Sequence, residues 1–531
     1  MVKRFAMAAA CVLAAASVGY AGSVDTYGIG SRATALGGAY AATADDPFAA
    51  YYNPAGLSQI EGKVFSAGVH VMECTIELTD FSVDNTTIQG ESFELDSEPL
   101  VAPHLGYAQR INDSFSFGVA AYAPWGLELE WEDDPTKNPG AYSAYHSYYK
   151  RYGVTPTLSY KLNDKLAFGF GVTLGKSEAG ADAKRYLADV GAYKVDHDGD
   201  ASTDKVTVAA MVDGAIAQSN AFPIDSLPGA PPQATTTAGA AARYKYIIDN
   251  NLAANEAQAK QVQTAYGMMA ALANPAAANQ YNTGSDLNGV AADIHNKAIG
   301  MELEDDFNVS YNIGVMYNPT ETVTLGLAYR SECEAEFEGD VLVDGVKKSS
   351  ATMDYNHPQQ IQFGVRYQPH SKFHVECDLV WTDWSINQEQ VSVLNNPNIG
   401  VTLVNGIPVA VSEESFYREW EDTKQLRFGA EYIVNDLLTV RAGYFYDPTP
   451  IPDDTLDLQW ADADKKVYTL GAGLNFGRYT VDTVFQYTDI EKARVIGGES
   501  KNLNHSFQGN DVNAKADGHI LGFGVTLTTR F

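Results

Sequence analysis

The chain has few basic residues, few cysteines and no long apolar run beyond its first twenty-one residues. Its 531 residues include 36 lysines and arginines against 67 aspartates and glutamates, which gives a formal net charge of −31 at pH 7. A surface of this charge argues against nucleic-acid binding. A membrane-spanning helix needs about 20 consecutive apolar residues, so a helical membrane protein is disfavoured as well.

Cysteine and histidine occur in numbers and spacings that argue against metal sites and hydrolytic centres. Beyond the first twenty-one residues the chain keeps Cys74, Cys333 and Cys377, which form neither a disulfide framework nor a metal-binding pattern. A hydrolase needs serine, histidine and an acid gathered at one place, whereas the ten histidines are scattered along the chain. We therefore predict that the protein is not an enzyme, holds no metal and uses no cofactor.

The first twenty-one residues have the composition of an export signal. Lys3 and Arg4 provide the positive start, residues 5–16 form an apolar stretch, and Gly19-Tyr20-Ala21 is a small-x-Ala cleavage site. We predict a signal peptide over residues 1–21. Its removal takes away two basic residues and no acidic one, so the formal net charge of −31 becomes −33.

Tight turns divide much of the chain, and longer connections alternate with them. Each turn joins two runs of about ten residues in which apolar side chains alternate with small or polar ones, the pattern of a transmembrane β-strand. Short turns at one edge, long loops at the other and an even number of strands are typical of a bacterial outer-membrane β-barrel. The turns are centred on Asn112-Asp113, Asn163-Asp164, Asn318-Pro319, Pro369-His370, Asn435-Asp436 and Gly477-Arg478.

The last run of the chain shows the alternation clearly. One parity carries apolar side chains from Leu521 to Phe531, and the other carries glycine, threonine and arginine. Since successive side chains point to opposite faces of a strand, one face is predicted to meet lipid and the other a polar interior. We predict an all-β fold, a 14-stranded antiparallel transmembrane β-barrel over residues 63–531. Its strands are predicted to start near residues 63, 100, 114, 151, 165, 307, 321, 358, 372, 424, 437, 466, 478 and 519.

Residues 22–62 precede the first predicted strand and are rich in glycine and alanine, with little charge. A compact segment of this size is expected to pack inside the lumen as an N-terminal plug. Within it, Asn53-Pro54-Ala55 resembles the plug motif of the FadL-type family, the outer-membrane transporters of long-chain fatty acids and of aromatic hydrocarbons. Asn53, Pro54 and Ala55 are therefore the candidates for gating.

The resemblance to the FadL-type family continues in order along most of the chain. It implies a monomeric channel of the bacterial outer membrane, surrounded by lipid and lipopolysaccharide, without a nucleic-acid partner. Its function is expected to be diffusion-driven uptake of long-chain fatty acids or of aromatic or aliphatic hydrocarbons, and the choice among these cargoes stays open. The stretches that carry the resemblance are Leu158–Lys165, Tyr329–Glu332, Trp381–Ser385 and Arg441–Pro452.

The resemblance also implies a route: capture of cargo at external loops, transfer to a lumen pocket gated by the plug, and exit through a gap in the wall at strand three. Here the third predicted strand contains Ala123, Pro124 and Gly126 near its end. Proline cannot donate a ladder hydrogen bond, so this is the predicted position of the gap. The alternative is that Pro124 merely ends the strand at the outer rim.

Several arginines are predicted to matter inside the barrel or near its mouth. Arg330, Arg366, Arg427 and Arg441 fall on the inward parity, where they either stiffen the interior through salt bridges or form a charged conduit. Arg185 lies just after the fifth predicted strand, where the family's fatty-acid members can carry a carboxylate-binding arginine. The alternative is an ordinary loop cation.

Residues 180–303 form a predicted third external loop that is much longer than is usual in the family. Residues 222–237 have the composition of a linker. After them, apolar residues at three- and four-residue spacing predict one amphipathic helix, which ends near Asn274-Pro275. The apolar positions are Tyr244, Ile248, Leu252, Ala259, Val262, Tyr266 and Met269.

Two other functions are compatible with a barrel. A surface-display protein or adhesin would use the long third loop to bind a partner, and deletion of residues 180–303 would separate this function from transport. A general porin would need an open aqueous pore, which a plug of about forty residues argues against.

Overall fold

The structure is a computed structural model that describes residues 28–186, 194–195, 206–273, 282–284, 286, 295–396, 400–404 and 407–531. The predicted signal peptide, residues 1–21, lies outside the described residues. The chain divides into two compact units: the first takes the chain up to Lys184 together with Ala298–Val393 and Ser415–Phe531, and the second consists of Arg185–Lys297 and Leu394–Glu414.

The first unit is a closed 14-stranded antiparallel barrel, as predicted. Each strand pairs with its neighbour in the sequence of barrel strands, and the first strand also pairs with the last, Val64 lying opposite Arg530. The strands are β1 (Lys63–Val83), β2 (Leu100–Arg110), β3 (Phe115–Glu130), β4 (His146–Asn163), β5 (Leu166–Lys184), β6 (Ala298–Tyr317), β7 (Val323–Arg330), β8 (Gln360–His370), β9 (Phe373–Thr382), β10 (Thr423–Ile433), β11 (Leu438–Asp447), β12 (Lys465–Asn475), β13 (Tyr479–Gly497) and β14 (Val512–Arg530).

The wall alternates between an apolar outer face and a small or polar inner face. On β5, Phe168 and Phe170 are 40% and 50% exposed, whereas the intervening inward positions are buried. The barrel therefore presents apolar side chains outward, as an outer-membrane barrel does. The predicted strand starts are confirmed within two residues, except that β4, β6 and β14 begin five to nine residues earlier because their external ends extend beyond the alternating runs.

Further elements lie at the external side of the first unit. A hairpin of strands Cys333–Val343 and Val346–His357 follows β7, and its first strand pairs with the outer part of β6. The remaining elements are the strands Glu91–Glu94, Glu389–Leu394 and Glu413–Tyr417, the 3-10 turns Pro139–Tyr142, Trp384–Ile386 and Asp453–Thr455, and the short helix Lys501–Ser506.

The N-terminal segment, residues 28–62, contains two helices and a 3-10 helix. Helix α1 is Ser31–Ala35, helix α2 is Ala49–Tyr52, and the 3-10 helix is Pro54–Gln59. Most of its side chains are buried, and its apolar residues form one core cluster with inward-facing residues of the wall such as Ala108 and Ala167. The segment thus lies against the inner face of the barrel.

The second unit has its own hydrophobic core, formed by helices α3 (Val208–Ala221), α4 (Thr237–Asp249) and α5 (Glu256–Leu272). Its short strands are Lys194–Val195, Val206–Thr207, Gly400–Val404 and Ile407–Val411. None of the described helices in the chain is both long enough and apolar enough to span a membrane.

The prediction of one helix over the apolar positions 244–269 is wrong, because the structure has two helices there. Asn251 adopts a positive φ of 52° after α4, a conformation that asparagine tolerates well. Asn255 then caps α5 by accepting a hydrogen bond from the backbone N–H of Gln258. As a result Ile248 and Leu252 are more than a third exposed, while Tyr244, Val262 and Met269 enter the core.

Candidate functional site

Asn53 of the predicted plug motif connects three pieces of backbone. Its side-chain amide donates to the carbonyl of Ala41 at 2.7 Å and to that of Val315, in β6, at 3.2 Å. Its side-chain oxygen accepts from the N–H of Ala55 at 3.1 Å and so caps the 3-10 helix, in which Pro54 holds the first position. Proline suits that position because its missing N–H has no partner to lose there.

Two carboxylates of β9 hold the chain that precedes this motif. Asp378 accepts hydrogen bonds from the backbone N–H groups of Tyr40 and Ala41, both at 3.0 Å. Glu376 accepts from the N–H of Ala42 at 2.6 Å and from the hydroxyl of Thr43. Both side chains are buried. Four hydrogen bonds from one short stretch of chain to two neighbouring side chains make this contact a polar clamp on the N-terminal segment.

An ion-pair network continues the contact on the neighbouring strands. Arg32 of the segment pairs with Glu431 of β10 at 3.0 Å, and Arg441 of β11 pairs with the same carboxylate at 2.6 Å. Arg441 also pairs with Asp482 of β13 at 2.7 Å. Arg441 therefore forms salt bridges inside the barrel, which is one of the two alternatives given for the inward-facing arginines.

Of the other predicted lumen arginines, Arg330 and Arg427 bind amides, carbonyls or aromatic rings. Arg330 donates to Gln360 and to the carbonyl of Tyr51, and its guanidinium lies 4.6 Å from the centre of the Tyr51 ring. Arg427 donates to Gln425 at 2.9 Å. Arg366 faces inward, opposite Glu376 in the register of β8 and β9. These contacts place the positive charge around the segment rather than in an open channel.

Glycines on the inner face of the wall make room for the N-terminal segment. A Cβ atom at Gly326 of β7 would lie 2.1 Å from the carbonyl oxygen of Ala41, and one at Gly169 of β5 would lie 2.1 Å from the carbonyl carbon of Pro54. Backbone cannot yield at such distances. We call the set the glycine belt; its members are Gly106, Gly118, Gly169, Gly314, Gly326, Gly429, Gly443 and Gly471.

Asp46 belongs to the N-terminal segment and not to a membrane-spanning strand. Burial, together with the charge of the nearby Asp45, raises the pKa of its carboxyl group to about 6, against the opposing effect of Arg32. The hydroxyl of Tyr40 donates to Asp46 at 2.9 Å. Protonation of Asp46 therefore removes a buried charge from the segment close to neutral pH.

The wall is irregular at strand three, where the sequence predicts a gap. The register of β3 against β4 shifts by one residue between Tyr122 and Trp125, across Ala123 and Pro124. On the other side, the ladder with β2 ends at the pair Leu105–Ala121. All residues from 124 to 129, Gly126 included, are buried whichever face they belong to. The outer part of β3 therefore turns inward from the wall.

A second interruption, which the sequence did not reveal, lies between β6 and the chain after β7. The ladder runs to the pair Arg330–Asn312 and resumes at Glu338–Glu304. Carboxylates such as Asp305 and Glu336 line a cavity of about 790 Å³ beside it. Their charge makes this interruption a poor path for an apolar molecule.

Aromatic side chains gather where the short strands β8 to β12 reach their external ends. The indole rings of Trp384, Trp420 and Trp460 form edge-to-face contacts, with centroids 5.4 Å and 5.3 Å apart. Trp125 of β3 adds a further contact with Trp384 at 5.4 Å. Tyr355 stacks on Trp460 at 5.7 Å.

These rings enclose a small cavity of about 40 Å³, which we call the aromatic cavity. Its wall includes Leu127, from the inward-turned part of β3. A cavity of this size holds a few water molecules at most, so the side chains must move apart to admit a larger molecule. Its principal lining residues are Leu127, Gln360, Trp384, Trp420, Gln425, Asp447, Ile451, Trp460, Asp462 and Lys465.

Arg185, the predicted carboxylate-binding residue, lies in the second unit. Its guanidinium is 3.9 Å from the carboxylate of Glu414, and its backbone N–H donates to the carbonyl of Lys297. It is absent from the lining of the aromatic cavity. Among the described residues, no cluster of three or more histidine, cysteine, aspartate or glutamate side chains is arranged to hold a metal ion.

The barrel and its N-terminal segment have counterparts in known proteins. Residues 6–531 match the family model described as outer membrane protein transport protein (OMPP1/FadL/TodX). The chain belongs to this family. It is therefore a protein of the bacterial outer membrane, and family members are transporters or channels rather than enzymes.

One relative of this family member is the long-chain fatty acid transport protein of Escherichia coli strain K12, at 22% identity over 485 residues, which is 87% of each chain. Among solved structures, a Pseudomonas aeruginosa FadL homologue matches with a TM-score of 0.65 and 17% identity, covering 96% of this chain and 100% of that one. The Pseudomonas putida toluene transporter TodX matches with a TM-score of 0.56 and 15% identity, at 96% and 100% coverage. At these identities the structural matches show the fold.

Proposed function

We propose that this protein is a channel through which hydrophobic molecules diffuse inward across the outer membrane. The relatives include a long-chain fatty acid transport protein and toluene transporters, which supports uptake of hydrophobic cargo. The observation that carries the proposal is the shared position of the aromatic cavity and the irregular strand: Leu127 lines the cavity and belongs to the inward-turned part of β3. Cargo in the cavity is thus next to the interrupted wall.

The proposed route has three steps. Cargo is first captured among the external loops and enters the aromatic cavity as the indole rings separate. The N-terminal segment then acts as the plug that blocks the way to the periplasm, held by Asn53 and by the β9 carboxylates. Cargo leaves sideways past Ala123 and Pro124, where the inward turn of β3 parts the wall.

A deletion tests the lateral step. Removal of Pro124 takes out the extra residue of β3, so the register with β4 becomes continuous and the interruption is expected to close. Pro124→Ala keeps the residue count and is the matched control. We expect cells with the deletion to lose uptake of radiolabelled oleate and toluene while the purified protein still binds them, and cells with Pro124→Ala to keep uptake. Unchanged uptake by the deletion variant would contradict the lateral exit.

The helical unit supports a second candidate function. Helices α3 to α5 form a compact unit with a core of its own, which suits display of a binding surface outside the cell. Deletion of Arg185–Lys297 separates the two functions: a channel keeps at least part of its oleate or toluene uptake, whereas an adhesin loses attachment and shows no uptake with or without the unit.

A further inference from the structure

One lining residue of the aromatic cavity carries a hydrogen-bond donor without a partner. Trp420 is 2% exposed, and its indole nitrogen is buried with no hydrogen-bond partner among the described residues. Its edge-to-face contacts with Trp384 and Trp460 offer that N–H aromatic faces, which are weak acceptors. A buried donor left in this state is unfavourable, and an acceptor atom on a bound molecule satisfies it.

The charges around the cavity disfavour an anionic acceptor. Asp447 and Asp462 both line it, and the one lysine among the lining residues, Lys465, is bonded to Asp462 and lies 3.6 Å from Asp447. A carboxylate entering here meets two like charges and a cation that is already paired.

Two further cations lie behind the floor of the cavity. Arg330 and Arg427 are outside the lining, and they donate to the amide oxygens of Gln360 and Gln425, which do line it. The glutamine side chains thus line the cavity, whereas the guanidinium groups bonded to them do not.

From this we infer that the aromatic cavity selects an uncharged molecule that has an apolar aromatic ring and one hydrogen-bond-accepting oxygen, as in an aryl ketone, ether or ester. The oxygen accepts from the indole N–H of Trp420, and the body lies among the faces of Trp384 and Trp460. The inference rests on the proposed function, because it assigns the cargo chemistry of the same cavity. Among the hydrophobic molecules that the channel admits, it ranks such a molecule above fatty-acid anions and plain hydrocarbons in affinity.

The test uses the purified full chain in detergent with three probes of similar size: ethylbenzene, acetophenone and benzoate. Equilibrium binding is measured for the wild type, for Trp420→Phe, which removes the N–H but keeps a ring, and for Trp131→Phe. Trp131 also has a buried, unpartnered indole nitrogen but does not line the aromatic cavity. Comparison of each probe across the variants cancels its partition into the detergent.

We expect Trp420→Phe to weaken acetophenone binding about tenfold, the factor that corresponds to one hydrogen bond of about 1.4 kcal/mol. Ethylbenzene binding is expected to change less than about twofold, and Trp131→Phe to behave as the wild type. Benzoate is expected to bind the wild type more weakly than acetophenone. Equal losses for acetophenone and ethylbenzene, no loss for either, or benzoate binding as tight as acetophenone would overturn the inference.

A measurement on the unmutated protein guards against misfolding of the variant. With ¹⁵N-labelled tryptophan, the indole N–H resonance of Trp420 is expected to shift on addition of acetophenone and to stay in place on addition of ethylbenzene. An equal response to both probes contradicts the inference. A wild type that binds oleate or toluene but not acetophenone contradicts the inference alone, whereas failure to bind oleate, toluene and all three probes contradicts the proposed function itself.

Discussion

Two regions inside this barrel differ in the kind of surface that bounds them: the region that holds the N-terminal segment and the aromatic cavity. The N-terminal segment meets polar groups and bare backbone: Asp378 and Glu376 accept from its N–H groups, and the glycine belt gives it room. The aromatic cavity, in contrast, is bounded by indole rings at the ends of the short strands. A directional, hydrogen-bonded contact fixes one geometry, whereas aromatic faces accept many apolar shapes. The first contact suits a gate and the second a receptor.

Docking of the N-terminal segment is expected to be lost most strongly when the space for it on the wall is filled. Gly326→Val is expected to destabilise docking of the N-terminal segment by more than about 3 kcal/mol, because the new side chain overlaps the backbone of Ala41. Proteolysis of the segment in detergent measures docking, and electrophoretic mobility of the unheated barrel reports whether the wall still closes. The matched control is Gly214→Val in α3, where a Cβ meets no atom within 4 Å. A protected segment in Gly326→Val contradicts the role of the belt.

A smaller and more local loss of docking is expected when the polar clamp on β9 is removed. Asp378→Ala leaves the buried N–H groups of Tyr40 and Ala41 without their acceptor, at a cost of about 3 kcal/mol for two unsatisfied donors. Amide hydrogen exchange at Tyr40 and Ala41 is expected to accelerate by at least tenfold. Asp436→Ala, at an exposed turn, is the control. Unchanged exchange at these two amides shows that the clamp does not hold the segment.

The contribution of the aromatic rings to ligand binding in the aromatic cavity is tested by Trp460→Ala. Loss of this ring removes the partner of both Tyr355 and Trp420, so affinity for acetophenone and ethylbenzene is expected to fall by about tenfold, in line with an aromatic contact of about 1.5 kcal/mol. Protease protection of the N-terminal segment is expected to stay as in the wild type. Joint loss of binding and protection would show that the gate and the receptor are one structure.

The smallest expected effect is a pH dependence of the gate. The pKa of Asp46 is raised to about 6 by burial, so its protonated form favours the docked state. The contribution of protonated Asp46 to docking is fully present below a pH near 3.8, the ordinary pKa that applies when the segment is undocked. It is lost as pH rises through about 6, the pKa of the docked state. Docking is therefore expected to weaken by about 1 kcal/mol between pH 5 and pH 7. Hydrogen exchange of the segment measures it, and Asp46→Asn is expected to flatten the dependence.

Strand parity and turn chemistry were sufficient to predict the 14-stranded barrel, because the period of two is imposed by lipid on one face and polar contacts on the other. The family resemblance, which implies a gap at strand three, together with the missing N–H of Pro124 pointed to the irregularity there. The second interruption after β7 left no such mark, since Ser331 and Glu332 carry no special backbone restriction. The break between α4 and α5 depends on Asn251 and Asn255, whose side chains and positive φ override an otherwise helical spacing.

Site residues were harder to predict, because they come together only when the barrel closes. Asn53 could be singled out from its motif, but its bond to Val315 joins residues far apart in the sequence. Trp384 and Trp420 lie near opposite ends of the long β9–β10 connection and Trp460 lies in the β11–β12 connection, and no spacing in the sequence indicates that their rings meet. Arg185, to which the resemblance pointed, lies in the second unit near Glu414, and its assignment as a carboxylate-binding residue stays a prediction.

The glycine belt sets an order of events for assembly. Its members lie on β2, β3, β5, β6, β7, β10, β11 and β12, and the N-terminal segment also binds Thr526 on the last strand. The N-terminal segment can therefore reach its final position only after the last strand has joined the wall. Until then its buried alanines and tyrosines have no surface to pack against, so this stretch is where periplasmic chaperones would have to act longest.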